Sequence, residues 1–233
     1  MKAERLTETL RGIADRFSPV ALASSLSIED MLLTDAIVRA GLAIEVFVLD
    51  TGRLHGDTLA LLQKIRSHYD LDVAVYAPDP VQVADYVRAF GRDAFYQGVE
   101  LRKRCCEIRK VEPLGRALAG KRAWITGQRR EHSVGRAQLP ERELDATHGV
   151  EKFNPLAGWT EQEVWHYVRE RRVPYNRLYE QGYRSIGCAP CSRPVQPGED
   201  PRAGRWWWEQ AEAKECGLHV APDGRLVRAK APA

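Results

Sequence analysis

The sequence predicts an α/β fold built on a parallel sheet with helices on both faces, and three observations carry that expectation. Short apolar, β-branched stretches alternate with helix-period stretches through the first half of the chain. Each apolar stretch ends in turn-forming or polar residues. The composition, 44% hydrophobic and 29% charged over 233 residues, suits a globular chain with one substantial core. Strand–helix alternation needs crossover connections, hence parallel pairing, and ligands then gather at the carboxyl ends of the strands.

In order, strands are expected at "VALASSL" (20–26), "IEVFVLD" (44–50), "DVAVYAP" (72–78) and "RAWITG" (122–127). Helices are expected between them over 29–40, 56–69, 80–90 and 105–119, with Pro113 breaking or restarting the last. The opening "MKAERLTETLRGIADRF" is polar and amphipathic, unlike a signal peptide, and no apolar run is long enough to cross a bilayer. These features point to a cytoplasmic protein. From about residue 150 the pattern changes. Thr160 and Glu163 form a capping box that starts one helix. The irregular "YRSIGCAPCSRPVQPGEDPRAG" follows, and then a last helix is expected from Asp200 to about Cys216, stopped by Gly217. The final residues, 220–233, lack an apolar period and read as a flexible tail, so residues 1–219 form one domain.

The strand ends carry "SSLSIED", "LDTGRL" and "TGQRR", which are polar, charged or glycine-containing. They make Ser24, Ser25, Ser27, Asp30, Asp50, Gly52, Arg53, Gly127 and Arg129 candidates for substrate binding. Between Glu100 and Arg136 there are eleven Lys/Arg against four Asp/Glu, a local +7 within a total of only +3. Such asymmetry marks an anion site, with a solvated charged face as the alternative. Arg202 and Arg205 stand three apart, the spacing of one helix face, and arginine suits bidentate grip on phosphate or sulfate. Salt bridges to neighbouring carboxylates are the alternative for these pairs. "WWW" (206–208) reads as packing before base stacking.

Five cysteines in a cytoplasmic chain point to metal or catalytic chemistry. Cys188 and Cys191 form "CAPC", and with the vicinal pair Cys105–Cys106 they supply four thiolates, enough for tetrahedral zinc or an iron–sulfur cluster. A helix starting at the vicinal pair would place its positive end on both thiolates. Cys216, in "KECGLH", is unpaired and stands near Lys214 and His219, which suits a nucleophile. The negative end of a helix would disfavour its thiolate, so activation must come from His219, nearby cations or the ligand.

"KRCCEIRKVEPL", "SIGCAPCSRPVQPGEDPRAGRWWWE" and "KECGLH" together resemble the bacterial assimilatory adenylyl-sulfate (APS) reductases, the cluster-containing branch of the APS/PAPS reductases. "LDTGRL", "WITGQRR" and "PYNRLYEQGYRSIGC" belong to the same pattern, and the match extends from about residue 20 to 219. The resemblance implies an adenine nucleotide α-hydrolase-like sheet, a C-terminal segment that bears cluster ligands and a mobile catalytic stretch, and a 4Fe-4S cluster on Cys105, Cys106, Cys188 and Cys191. It places Lys110 between cluster and substrate, and makes Cys216 the nucleophile that attacks the sulfur of APS. The enzyme S-sulfocysteine would then be reduced by thioredoxin, in sulfate assimilation and cysteine biosynthesis. By position, Arg136, Arg202, Arg205 and His219 match the family's sulfate and phosphate contacts. Ser24, Ser25, Ser27 and Asp30 fall in its modified phosphate loop, with Ser27 where many relatives carry glycine. Homo-oligomerisation stays open, and no nucleic-acid or membrane partner is expected.

The 3′-phosphorylated substrate, PAPS, is the near alternative. An ATP-dependent tRNA-thiolating enzyme on a related sheet is a more distant one, since "SSLSIED" lacks the glycines of a pyrophosphate loop. A zinc-bearing nucleic-acid module lacks exposed aromatics interleaved with its basic run.

Overall fold

The computed structural model describes residues 2–133 and 136–209. Its elements run α1 (Lys2–Phe17), β1 (Val20–Ser24), α2 (Ile28–Arg39), β2 (Ile44–Leu49), α3 (Gly56–Tyr69), β3 (Ala74–Tyr76) and α4 (Pro80–Phe90). There follow α5 (Val99–Cys106), a π-helical turn (Glu107–Val111), α6 (Glu112–Leu118), β4 (Ala123–Ile125), β5 (Arg142–Asp145), β6 (Val150–Phe153) and α7 (Glu161–Glu170). The strands form one sheet in the order β3-β2-β1-β4-β6-β5. All neighbours are parallel except the β5–β6 pair at one edge, so the expected α/β architecture is what the chain builds.

Alternation along the central strands divides the core between the two faces. Val20 and Leu22 of β1, with Val46 and Val48 of β2, pack among α1, α2, α3 and α7. Ala21, Phe47 and Trp124 point the other way, onto Leu114, Ala117 and Leu118 of α6. Helix α1 joins the first face through Leu6, Leu10 and Ile13, while its charged residues face outward. On the same side, Asp35 is fully buried but not bare. It takes both Arg39 Nε contacts at 2.9 Å and the hydroxyls of Tyr69 and Tyr167 at 3.0 Å, which ties α2 to α3 and α7.

The structure corrects three expectations. The vicinal cysteines do not open a helix. They close α5, and the π turn carries the chain on into α6, so no positive helix end lies on their thiols. The hairpin β5–β6 has no counterpart among the expected strands. Its strands are short and charged, and it is held by cross-strand pairs Arg142–Glu151 at 2.9 Å and Lys152–Glu143 at 2.8 Å. Residues 200–204 turn instead of starting a helix. Asp200 does cap, accepting from Arg202 N at 2.7 Å, but the chain then folds back so that Arg205 bridges to Ser192. Residues 210–216 of that expected helix, Cys216 among them, together with His219 and the tail, lie outside the described residues.

Candidate functional site

A cavity of about 240 Å³ opens at the carboxyl ends of β1, β2 and β4. Its floor is the turn between β1 and α2, carrying Ser24, Ser25 and Ser27, and its far side is Thr126, Gly127 and Gln128 after β4. Asp30 fastens the two together. Its Oδ2 accepts from Ser25 N at 2.7 Å, Ser25 Oγ at 2.6 Å and Ser27 Oγ at 3.2 Å, and its Oδ1 accepts from Gly127 N at 3.1 Å. Burial pushes the Asp30 carboxyl above its ordinary range despite the Ser25 bonds. A carboxylate so engaged shapes the serine turn rather than meeting a ligand itself. Leu26, between the serines, sits in the left-handed region (φ 62) with its side chain fully buried, which pins the turn's path.

Cations line the other walls: Lys110 from the π turn, Arg136, and Arg202 and Arg205 from the turn after Asp200. Arg205 is buried, its Nε has no hydrogen-bond partner among the described residues, and its guanidinium lies 4.7 Å from the Trp206 ring centre. The opposite wall is Gly187, where an added Cβ would fall 2.5 Å from that guanidinium. A buried cation with a free donor at a cavity edge has the chemistry to seat an anion.

A second, smaller cavity of about 20 Å³ is lined by Cys105, Cys106, Cys188 and Cys191 with Arg53, Arg102, Arg109 and Lys110. The turn that carries Cys188 and Cys191 is held from two sides. Ala189 N donates to Arg53 O at 2.7 Å, and Thr51 Oγ1 meets Cys188 Sγ at 3.2 Å. On the other side Trp206 N donates to Cys191 O at 3.2 Å. Burial pushes the Cys191 thiol up to about 12, with the neighbouring Cys188 adding to it and Lys110 and Arg205 opposing. Burial likewise raises Cys105, against the Arg109 charge. Trp206 Nε1 is buried beside these sulfurs without a hydrogen-bond partner among the described residues. Among the described residues no three His, Cys, Asp or Glu side chains converge in the manner of a site for one metal ion. Lys110, Cys188 and Trp206 line both cavities, which therefore share a wall.

The sequence-derived candidates divide accordingly. Ser24, Ser25, Ser27, Asp30, Gly127, Lys110, Arg136, Arg202 and Arg205 meet at the large cavity. Four do not. Asp50 accepts from Gly52 N at 2.9 Å, closing a turn in which Gly52 needs its positive φ of 67°. Arg53 bonds Arg92 O at 2.8 Å and Asp93 at 2.6 Å, against the cysteine cavity. Arg129 is buried in an ion pair with Glu29 at 2.9 Å and a second with Glu131 at 2.9 Å, so for it the salt-bridge alternative prevails. Much of the basic excess is paired in the same way, as in Arg102–Glu209, Arg116–Glu112 and Lys121–Glu45. "WWW" is packing, not a stack for bases: Trp206 is buried against the cysteines, and Trp208 lies 4.4 Å from Tyr96. Sequence reading missed His132 and Gln128, whose only signal was their place just after a strand end.

The family model described as a phosphoadenosine phosphosulfate reductase domain matches residues 19–194. Adenosine 5′-phosphosulfate reductase of Allochromatium vinosum is 55% identical over 212 residues, 91% of this chain and 83% of that protein. The enzyme of the same name from Burkholderia cepacia is 54% identical, over 94% of this chain and 88% of its own length. Among solved structures, phosphoadenylyl-sulfate reductase from Candida auris, in a phosphate complex, superposes with a TM-score of 0.70 at 27% identity. It covers 82% of this chain and 90% of that one. Candida glabrata FMN adenylyltransferase, at 13% identity and a TM-score of 0.58, shares the fold alone.

Proposed function

The chain belongs to the phosphoadenosine phosphosulfate reductase family, as an oxidoreductase acting on sulfur, and we propose that it reduces adenosine 5′-phosphosulfate to sulfite and AMP with thioredoxin as donor. The observation that carries this reading is the shared wall. A cavity that would take a nucleotide anion abuts a second one lined by Cys105, Cys106, Cys188 and Cys191, and Lys110 lines both. The curated relatives above 50% identity are named for APS, which favours it over the 3′-phosphorylated substrate.

The cysteines that line the small cavity, Cys105, Cys106, Cys188 and Cys191, are the donor set that would hold a 4Fe-4S cluster. Burial raises the thiols of Cys105 and Cys191, which favours a metal in place of their protons, and the Trp206 indole N–H beside them has no partner among the described residues. Bound there, the cluster would supply local charge and join α5 to the 188–191 turn.

The chain's own residues then divide the work. The serine turn and the guanidinium groups of Arg136, Arg202 and Arg205 bind and orient the anionic end of the nucleotide. The Cys216 thiolate attacks the sulfur of APS, the bond from sulfur to the phosphate oxygen breaks, and AMP leaves with the electron pair. The anionic nucleophile and anionic sulfonyl group repel, and the positive charge of Lys110, Arg202 and Arg205 lowers that cost. A thioredoxin thiolate then attacks the Cys216 sulfur of the S-sulfocysteine, expelling sulfite. Its second thiol resolves the mixed disulfide and restores Cys216. The reaction fits a cytoplasmic enzyme of sulfate assimilation.

Protein purified without oxygen should be brown, contain iron and acid-labile sulfide, and form sulfite from APS when thioredoxin is supplied. Replacing any of the four cavity cysteines with serine should lose both iron and turnover. Full activity in an iron-free, zinc-loaded protein would refute the cluster, and a higher kcat/KM for PAPS than for APS would refute the substrate.

A further inference from the structure

One half-buried side chain at the large cavity has no part in the mechanism above, and that is His132, held by Glu29. Glu29 is 4% exposed and lies in the first turn of α2, next to the loop-fastening Asp30. Its Oε1 accepts from Arg129 Nε at 2.9 Å and lies 3.0 Å from His132 Nε2. Burial would push this carboxyl up, but the His132 hydrogen bond and the Arg129 guanidinium keep it below the ordinary carboxylate range. An ionised Glu29 is an acceptor only, so the His132 proton sits on Nε2 and points at Glu29.

That leaves Nδ1 of the imidazole as an acceptor. Two donors face it: the backbone N–H of Arg129 at 3.2 Å and Nη1 of Arg136 at 3.4 Å. His132 and Arg136 both line the cavity, whereas Glu29 and Arg129 stand behind it. Arg136 comes from a connection outside the sheet and the long helices, and a long side chain there has many rotamers to lose. A guanidinium that meets a phosphate or sulfate bidentately works only if its plane is set beforehand.

We propose that His132 is a positioning residue: gripped by Glu29 through Nε2–H, it offers Nδ1 to Arg136 and sets that guanidinium over the anion end of the nucleotide cavity. This rests on the reading of the cavity as a nucleotide site. It assigns to His132 no contact with the reacting atoms. The hydrogen bond from Arg129 N fixes the ring's other edge, so the ring is located at both nitrogens before any ligand arrives.

The test is a double-mutant cycle read as AMP affinity by titration calorimetry on the purified holoprotein, with melting temperature followed in parallel. His132→Ala and Arg136→Ala should each weaken AMP binding about tenfold, the size of one misdirected charge-assisted contact. The double variant should be no weaker than Arg136→Ala alone, because His132 acts through Arg136. His132→Asn, which places an amide oxygen near the position of Nδ1, should recover at least half of the lost affinity. Losses that multiply to about a hundredfold in the double variant would show that His132 acts on its own and overturn the proposal. So would a His132→Ala protein with unchanged AMP affinity, whatever its melting temperature. Should His132→Ala fail to fold, a folded His132→Asn protein bound as weakly as Arg136→Ala overturns the proposal equally. A wild-type protein that does not bind AMP overturns the nucleotide site itself and this inference with it, a result distinct from wild-type binding with a silent His132.

Discussion

Gly127 has no room for a side chain, and the reason lies in the acids that organise the site. A Cβ there would fall 2.7 Å from Glu29 Cβ and run into the Asp30 carboxylate. Its backbone N–H is also one of the bonds that hold Asp30. Gly127→Ala must therefore push α2 away from β4 or open the serine turn. Overpacking of this kind costs about 1–3 kcal/mol, which for a chain of this size is a fall in melting temperature of roughly 2–12 °C. AMP affinity should drop with it, because the turn that forms the cavity floor is the part displaced. Differential scanning calorimetry with and without AMP checks both. A variant that melts as wild type does and binds AMP normally would mean that Asp30 does not fasten the two loops. At the same scale Arg205 shows how a cation is kept ready. It lies between Gly187 and the Trp206 ring, and its Nε is left without a partner among the described residues.

At the scale of elements, the parts that could be read from the sequence are those whose cause is local. The start of α7 is one. Thr160 Oγ1 accepts from Glu163 N at 3.2 Å, and Glu163 accepts from Thr160 N at 2.8 Å, the reciprocal cap that the spacing announces. Thr160→Ala should cost about 1 kcal/mol of stability and leave AMP affinity untouched, since α7 stands behind the sheet and contributes nothing to the cavity. Urea unfolding with a parallel AMP titration reads the two separately. A changed AMP affinity would mean that α7 is coupled to the site. Strands β1, β2, β3 and β4 and helices α3 and α4 were legible for the same local reason, apolar runs and caps. What was not legible depends on distant partners. Strands β5 and β6 are charged and short, and only pairing with the edge of β4 makes them strands. Asp200 caps a turn, but the bridge from Arg205 to Ser192 and the burial of Trp206 draw the chain out of helix. The π turn is the clearest case. Pro113 announced a disturbance near residue 113. It could not announce that the wider turn at Glu107–Val111 would send Arg109 to Thr51 O at 2.7 Å while Lys110 lines both cavities. Likewise the residues of the site were legible by type, but the division between Arg129, which is consumed by Glu29, and Arg136, which reaches the cavity, was not.

Across the whole molecule the decisive fact is where the thiols are. The chain has five cysteines, and Cys105, Cys106, Cys188 and Cys191, from α5 and the 188–191 turn, line one small cavity. If those four are committed to a metal, the fifth, Cys216, has no partner within the chain, and any disulfide it forms must be with another protein. This makes a sharp prediction about chemistry. Cys216→Ser should keep its iron and its AMP affinity, because neither the cavity cysteines nor the cavity cations are altered. It should form no sulfite, since a hydroxyl lacks the low pKa and soft nucleophilicity that attack on sulfur needs. Wild type incubated with APS in the absence of thioredoxin should accumulate one sulfonate per chain, and peptide mass spectrometry should place it on Cys216. Thioredoxin added afterwards should release sulfite and return the free thiol. The cavity cysteines offer the contrast: burial already pushes the Cys191 thiol up to about 12, so without a metal it is a poor nucleophile at neutral pH. A sulfonate found on one of those four, or sulfite formed with no covalent adduct at all, would show that the thiol left over from the cavity is not the one that attacks.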